Sequence, residues 1–218
     1  MVSQITDGTA FDKHGRPFRR RRILPGALMF AAMAAAALLV WVIALSRPPD
    51  VREAAVCNPP PAPAEPNAPA PDLGDQVSHE SMVDVTPAKL VDTRIRVLNA
   101  SGQGGQAAEV AGALRDLGFA EPEAANDTIY STTRLQCQGQ IRFGPSGRAA
   151  AAAVWLVAPC TELFQDQRTD DTVDLALGTD FTELAHSDDI DAVLTSLMPE
   201  ATQPVDQSML SQAHTGTC

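Results

Sequence analysis

A glycine-rich segment between a predicted strand and a predicted helix contains the residues whose types most directly suggest chemistry. It reads Asn-Ala-Ser-Gly-Gln-Gly-Gly over residues 99–105, and the backbone N–H groups of such a turn can bind an anion. No Lys-Ser or Lys-Thr pair follows the glycines, which excludes a P-loop, and the third glycine of the dinucleotide fingerprint is missing. Two interpretations stay open: Asn99 or Ser101 caps the helix, or the turn contacts a ligand. The candidate ligand-binding residues are Asn99, Ser101, Gly102, Gly104 and Gly105.

The other reactive side chains of this 218-residue sequence have no catalytic or metal-binding spacing. Its four histidines, at positions 14, 79, 186 and 214, lie in predicted tails, linkers or loops. No serine or cysteine has the flanking pattern of an activated nucleophile. The aspartates at 170–174 and 188–191 lack the spacing of a calcium loop, and helix capping or a solvated surface accounts for them. We therefore predict a protein that is not an enzyme and uses no metal and no cofactor.

The four cysteines, Cys57, Cys137, Cys160 and Cys218, predict two disulfide bonds if this part of the chain lies in an oxidising compartment. Three pairings are possible. Cys137 precedes a predicted strand and Cys160 follows the next helix, which favours a Cys137–Cys160 bond and leaves Cys57 to pair with Cys218. The first bond would close a 24-residue loop, worth on the order of 3 kcal/mol in the chain-entropy model. The absence of Cys-x-x-Cys spacing argues against a metal site.

Residues 23–45 are uncharged and mostly apolar, which predicts a membrane-spanning helix. A helix of this length reaches about 34 Å, enough to cross a hydrocarbon core of about 30 Å. Residues 1–22 have a net charge of +4 and residues 46–218 a net charge of −15. Because positive flanks stay in the cytoplasm, we expect a single-pass plasma-membrane protein with its N-terminus inside, and a cleaved signal peptide is the alternative. The acidic balance excludes a general nucleic-acid binder.

Hydrophobic patterning beyond this span predicts one α/β layered domain. Apolar residues alternate in strands at 93–99, 138–143 and 173–177, and a helical stripe covers 103–117. Ser146 is expected to cap a buried helix that runs to residue 158, and Ser187 a last helix. The predicted organisation is a basic cytoplasmic tail (1–22), a transmembrane helix (23–45), a proline-rich extracytoplasmic linker (46–83), the domain (84–198) and a polar tail (199–218).

Five short motifs follow one another in a specific order. They are IRVLNASG at 95–102, a helix ending in Gly118-Phe119, IRFG at 141–144, an alanine-rich stretch at 149–154, and VDLALGTDF at 173–181. This order resembles the LytR C-terminal domain over about residues 95–181, and the resemblance implies a small α/β fold. The sequence departs from that domain at Ala100, where a glycine is usual, and in its two additional cysteines.

The whole chain also resembles a family of single-pass envelope integrity proteins of actinobacteria, on the stretches 11–20, 47–60 and 176–181. That resemblance implies a role in maintaining the cell envelope. The LytR catalytic domain, which transfers glycopolymers to peptidoglycan, has no counterpart in this sequence, so transferase activity is not expected. We expect non-catalytic binding to a cell-wall polymer or to an envelope protein. The alternatives are an enzyme acting on wall glycopolymer and a structural adaptor in an envelope complex.

Overall fold

The computed structural model of this protein describes residues 24–46, 56–63, 71–202 and 204–214. The chain divides near residue 50 into two units. The first contains helix α1 (Leu24–Ser46), and the predicted basic tail before it lies outside the described residues. The window Pro25–Val42 has a mean hydropathy of 2.0 and is exposed throughout. By length and composition, α1 can cross a membrane once.

The second unit is built on a six-stranded mixed sheet. Its strands are β1 (Asp75–Val77), β2 (Ile95–Asn99), β3 (Glu123–Asn126), β4 (Gly139–Phe143), β5 (Glu162–Gln165) and β6 (Val173–Leu177). Their order across the sheet is β1-β5-β4-β6-β2-β3. Strand β2 runs parallel to β3 and β6, and β4 runs parallel to β5, while β4–β6 and β1–β5 are antiparallel.

The helices of this unit lie between successive strands in the sequence and after the last strand. They are α2 (Glu80–Val83), α3 (Gln106–Asp116), α4 (Arg148–Val157), α5 (Asp188–Ser196) and α6 (Gln207–His214). Helix α3 links β2 to β3 and α4 links β4 to β5, which forms two βαβ units. Strand β6 lies between these units, parallel to β2 and antiparallel to β4. The predicted α/β layered fold is confirmed.

The hydrophobic core lies between one face of the sheet and the helices. Alternate strand residues such as Val97, Ile141 and Leu175 are fully buried in it. Helices α3, α5 and α6 each bury a few apolar residues there, and α4 buries nearly its whole length. Intervening strand residues lie on the opposite face, which we call the polar face. These residues include Arg96, Gln140, Arg142, Glu162 and Asp174.

Two helix ends form as the sequence predicts. Helix α3 is terminated by Gly118, two residues after its last residue, which adopts a left-handed φ of 99°, and the buried Phe119 packs back on the core. Helix α5 begins at Ser187, whose Oγ accepts a hydrogen bond of 3.2 Å from the Ile190 N–H. The predicted Ser146 cap is wrong, because a 3₁₀ turn over Pro145–Gly147 precedes α4 and no side chain caps that helix.

Both predicted boundaries of the domain differ from the structure. The assigned linker at 46–83 includes β1, which pairs with β5, and Met82 of α2, which is fully buried. The assigned polar tail at 199–218 includes α6, which buries Leu210 and Ala213 in the core. Strands β3 and β5 were not predicted. Both strands have only four residues. Such short strands gain their stability from pairing, which leaves little periodic signal in the sequence.

Candidate functional site

The glycine-rich turn lies at the edge of the sheet where the carboxyl ends of β2 and β6 meet. These strands are parallel, with Asn99 paired to Leu177 at their last position. The turn leads from β2 into α3, and residues 178–187 lead from β6 toward α5. In open α/β sheets, ligands bind in the crevice outside the carboxyl ends of the strands. Topology therefore places the predicted turn at a favourable edge for binding.

Inside the turn, the polar side chains of Asn99 and Ser101 bond to the turn itself. Asn99 Oδ1 accepts from the Gly102 N–H at 3.1 Å, and Asn99 Nδ2 donates to the Gln103 carbonyl at 2.7 Å. Ser101 is buried, and its Oγ accepts from the Gln103 N–H and lies 2.6 Å from Gln106 Oε1. Neither residue caps α3, whose N-cap is Gly105 in a left-handed conformation, so the capping interpretation is wrong. Both residues stabilise the shape of the loop.

The three glycines of the candidate site have different surroundings. A Cβ at Gly102 would approach the guanidinium group of Arg134, with 3.1 Å to its Nε. Gly104 and Gly105 face open space. Of the predicted binding residues, Gly104 lines the cavity that is described next, and ligand contact by all five stays a prediction.

This cavity is an open groove of about 780 Å³ between α3 and the segment 179–186. We call it the α3 groove. One flank of α3 forms its first wall, and the wall's residues are Gln106, Glu109, Val110, Ala113, Asp116 and Leu117. The facing segment contributes Thr179 and all residues from 181 through 186, and the turn contributes Gln103 and Gly104.

The α3 groove has an apolar floor and an acidic rim. Val110 and Phe181 are each 7% exposed, and Leu117 and Leu184 are half-buried. The carboxylates of the rim are exposed and belong to Glu109, Asp116 and Glu183. No lysine or arginine is among the described residues that line the groove. The surface therefore combines apolar contact area with uncompensated negative charge.

On the polar face, by contrast, charged groups neutralise one another. Arg96 donates to both carboxylate oxygens of Asp174, at 2.7 and 2.9 Å. Arg168 bonds to Asp174 at 2.7 Å and to Asp166 at 2.6 Å. Burial opposes the charge of Arg168, but these two carboxylates outweigh it and raise the arginine's pKa. These ion pairs hold neighbouring strands and loops together. A smaller pocket of about 480 Å³ lies beside them.

A second cluster on the polar face is almost fully buried. Arg142 donates to Asp127 at 2.8 Å and to Gln140 Oε1 at 2.9 Å. Gln140 in turn donates to Glu162 at 3.2 Å. Buried ionic groups are tolerated where hydrogen bonds satisfy them, and here each charge has a close polar partner.

Comparison with known proteins identifies the family. Residues 92–181 match the LytR_C family, described as the LytR cell envelope-related transcriptional attenuator. The chain is also 65% identical to the cell envelope integrity protein Cei of Mycobacterium tuberculosis, over the full length of both proteins. The chain belongs to the Cei family. Both the predicted LytR C-terminal domain and the predicted resemblance to envelope integrity proteins are confirmed, and the relative's name supports a role in the cell envelope.

A solved structure from the same family shares the fold. It is the soluble domain of a conserved hypothetical secreted protein from Mycobacterium marinum, which is 68% identical to this chain. The match covers 67% of this chain and 99% of that one, with a TM-score of 0.66.

The disulfide pairing of this Cei-family chain corrects the sequence prediction. Cys57 is bonded to Cys137, with their Cα atoms 5.0 Å apart. This bond excludes both predicted pairs, Cys137–Cys160 and Cys57–Cys218. Cys160 is also disulfide-bonded, and Cys218 lies outside the described residues. The prediction failed because it treated the region around Cys57 as linker, whereas the structure places this cysteine against β4.

Residues 56–63, which we call the strap, lie against the end of the polar face. The Cys57 N–H donates to Glu162 at 3.3 Å. Asn58 accepts from the Gln136 N–H at 2.6 Å, and its carbonyl accepts from the Tyr130 hydroxyl at 2.8 Å. Burial raises the pKa of Tyr130, which keeps this hydroxyl a donor. A small second core forms beneath the strap from Cys57, Ala100, Tyr130, Leu135, Cys137 and Ala176.

Two histidines that the sequence placed in linker and tail flank a buried tryptophan. The ring of His214 stacks on Trp155 with 3.9 Å between centroids, and His79 lies 5.0 Å from the same indole. Both ring nitrogens of His214 are buried without a hydrogen-bond partner among the described residues. Burial, and then the nearby His79, lowers the pKa of His214 to about 4. His214 is therefore neutral at physiological pH and packs as an aromatic group.

Proposed function

We propose that this chain is a single-pass plasma-membrane protein whose extracytoplasmic domain maintains the cell envelope by binding an envelope component without catalysis. The N-terminus lies in the cytoplasm in this proposal. Support for the orientation comes from the charge asymmetry, with four consecutive arginines at 19–22 directly before the apolar segment. Disulfide bonds persist in oxidising compartments, which also favours an external domain.

The α3 groove is the observation that supports binding. The glycine-rich turn borders this groove, and the groove lies outside the carboxyl ends of β2 and β6. Its open, partly apolar surface suits a polymer or protein segment. A cell-wall polymer and an envelope protein are the two partner classes that this proposal admits.

The surroundings of the carboxylates in the groove favour binding over catalysis. A carboxyl group that acts as a general acid usually lies buried in an apolar pocket. Glu109, Asp116 and Glu183 are instead exposed on the rim. The rival hypothesis of a glycopolymer-cleaving enzyme requires an acid pair converging in a deep pocket, which this rim does not provide.

A complementation experiment tests the use of the groove. Ala113 is an exposed residue of the groove wall, and Ala108 is an exposed residue of α3 outside the lining. Full-length Ala113→Trp and Ala108→Trp would be expressed in cells whose own copy is deleted, and dye permeability of the envelope measured. We expect Ala108→Trp to restore the barrier and Ala113→Trp, at equal protein level, to fail. Full restoration by both variants would remove the groove from the proposal.

A reporter experiment tests orientation separately. Alkaline phosphatase is active only outside the cytoplasm, so fusion after residue 218 should give activity and fusion before residue 1 should not. The reverse pattern would overturn the proposed topology, whatever the complementation experiment shows.

A further inference from the structure

We infer that the α3 groove binds a short peptide segment of another envelope protein, one that carries both apolar and basic side chains. This inference rests on the proposed function and names its partner class. The geometry, the charge and the aromatic content of the groove lead to it independently.

The wall formed by α3 has the dimensions of a peptide-binding surface. Helix α3 is 11 residues long, which corresponds to about 16 Å. Val110, Ala113 and Leu117 follow one another at helical spacing along this wall. Because Ala113 is small and central, a ligand backbone can approach the helix there. Grooves of this kind bind extended or helical segments by inserting apolar side chains.

Charge in the groove selects a cationic ligand. The three rim carboxylates form no ion pair among the described residues, and the chain from residue 46 onward has a net charge of −15. An anionic wall polymer would be repelled, whereas lysine and arginine side chains would meet complementary charge. Glu109 and Asp116 lie seven residues apart on one helix flank, a rise of about 10 Å along the axis. Two basic side chains separated by a similar distance match this wall.

An uncharged polysaccharide fits the groove less well than a peptide. Aromatic side chains present large apolar faces for stacking only where their rings are accessible. Phe181 is the aromatic residue of the described lining apart from His186, and it is only 7% exposed. Apolar contact here comes instead from aliphatic groups on α3 and the facing segment.

The basic residues of the N-terminal segment do not supply the occupant. Residues 1–22 are basic but lie on the cytoplasmic side in the proposed topology, across the membrane from the groove. With that segment excluded, the occupant that we infer is another molecule on the outer side.

Site-specific photo-crosslinking in intact cells tests the inference. A benzophenone amino acid would replace Ala113 in the full chain, and Ala108 in a control, in cells that lack their own copy. The Ala113 probe would be combined with Glu109→Lys/Asp116→Lys, and separately with Asp92→Lys/Glu200→Lys. The second pair makes the same charge change at exposed positions outside the groove. Adducts would be isolated and mapped by mass spectrometry as peptide or glycan.

We expect a peptide adduct at position 113 whose mapped segment contains at least two basic residues. The yield of this adduct should fall by about tenfold or more in Glu109→Lys/Asp116→Lys. It should stay unchanged in the control, Asp92→Lys/Glu200→Lys. A glycan adduct, a peptide without basic residues, an equal adduct at position 108, or a yield insensitive to charge reversal would overturn the inference. No adduct at position 113 would also overturn it, and the complementation result for Ala113→Trp then decides independently whether the proposed function survives.

Discussion

Removing the Cys57–Cys137 disulfide should destabilise the second unit strongly. The two cysteines are 80 positions apart, and closing a loop of this length is worth about 4.5 kcal/mol in the chain-entropy model. For a unit of this size, each kcal/mol shifts the unfolding midpoint by about 2–4 °C, so the expected loss is about 9–18 °C. Alanine is the appropriate replacement for both residues, because each cysteine is buried and packs in a small apolar core.

The matched control keeps the covalent bond and weakens the non-covalent contacts of the strap. Asn58 accepts from the Gln136 N–H and donates to the Arg134 carbonyl, and both bonds are lost in Asn58→Ala. Hydrogen bonds of this kind contribute about 1 kcal/mol each. Asn58→Ala should therefore cost about 2 kcal/mol, less than half the effect of Cys57→Ala/Cys137→Ala.

The assay is urea unfolding and thermal unfolding of the full chain in detergent, without reductant, both monitored by circular dichroism. We expect the order wild type, Asn58→Ala, then the double cysteine variant. A double variant within about 1 kcal/mol of wild type would refute the reasoning, because the strap would then be held by contacts alone. If Asn58→Ala lowered the free energy of unfolding as much as the double variant does, the disulfide would not be the larger of the two contributions, and the reasoning would also be refuted.

Three further measurements follow from particular residues. Burial lowers the pKa of His214 from 6.5 to about 4. Between these pH values the unfolded chain binds more protons than the folded chain, so the free energy of unfolding falls as the pH is lowered from 6.5 to 4. Wild type should lose about 1–2 kcal/mol more than His214→Phe between pH 7 and pH 4.5, after discounting for partial exposure. Ser187→Ala should cost about 1 kcal/mol through loss of the helix cap. Non-reducing peptide mapping should recover Cys160 bonded to Cys218, the cysteine that remains after the Cys57–Cys137 bond.

Each of these expectations has a clear contradiction. Parallel pH profiles for wild type and His214→Phe would mean that the histidine is hydrated in solution. Unchanged urea stability in Ser187→Ala would mean that water replaces the cap without loss. A mapped peptide joining Cys160 to a cysteine of a second chain would convert the expected internal bond into a dimer contact.

Sequence periodicity identified the elements that pack on both sides. Strand β2 alternates buried residues with exposed or half-buried ones, β6 is buried at every position, and α3 buries an apolar stripe from Ala107 to Leu114. Strand β3 escaped prediction because all four of its residues, Glu123–Asn126, are exposed and it pairs only along one edge. Such a strand forms because a neighbour supplies hydrogen bonds, which composition does not reveal.

The site was only partly predictable for a related reason. The glycine-rich turn was correctly placed between a strand and a helix, but the flank of α3 with Glu109, Ala113 and Asp116 looks in sequence like an ordinary solvated surface. It becomes a groove wall because residues 179–186, which have no regular secondary structure, lie opposite. The strap was missed because seven prolines in residues 58–71 are typical of a spacer, whereas the Cys57–Cys137 bond and the docked Asn58 hold residues 56–63 against the domain.

The distribution of paired and unpaired charge separates the two polar surfaces of the domain. Arginines on the polar face are held by carboxylates of neighbouring strands and loops, as in the Arg96–Asp174 and Arg142–Asp127 pairs, so binding an ionic ligand there would require breaking existing bonds. Carboxylates of the α3 groove are exposed and form no ion pair among the described residues, so a basic ligand meets them without that cost. Because the Debye length is about 8 Å at physiological ionic strength, carboxylates about 10 Å apart on α3 act nearly independently. Each must therefore be matched by its own cationic group, which makes recognition depend on the spacing of basic residues in the partner rather than on its total charge.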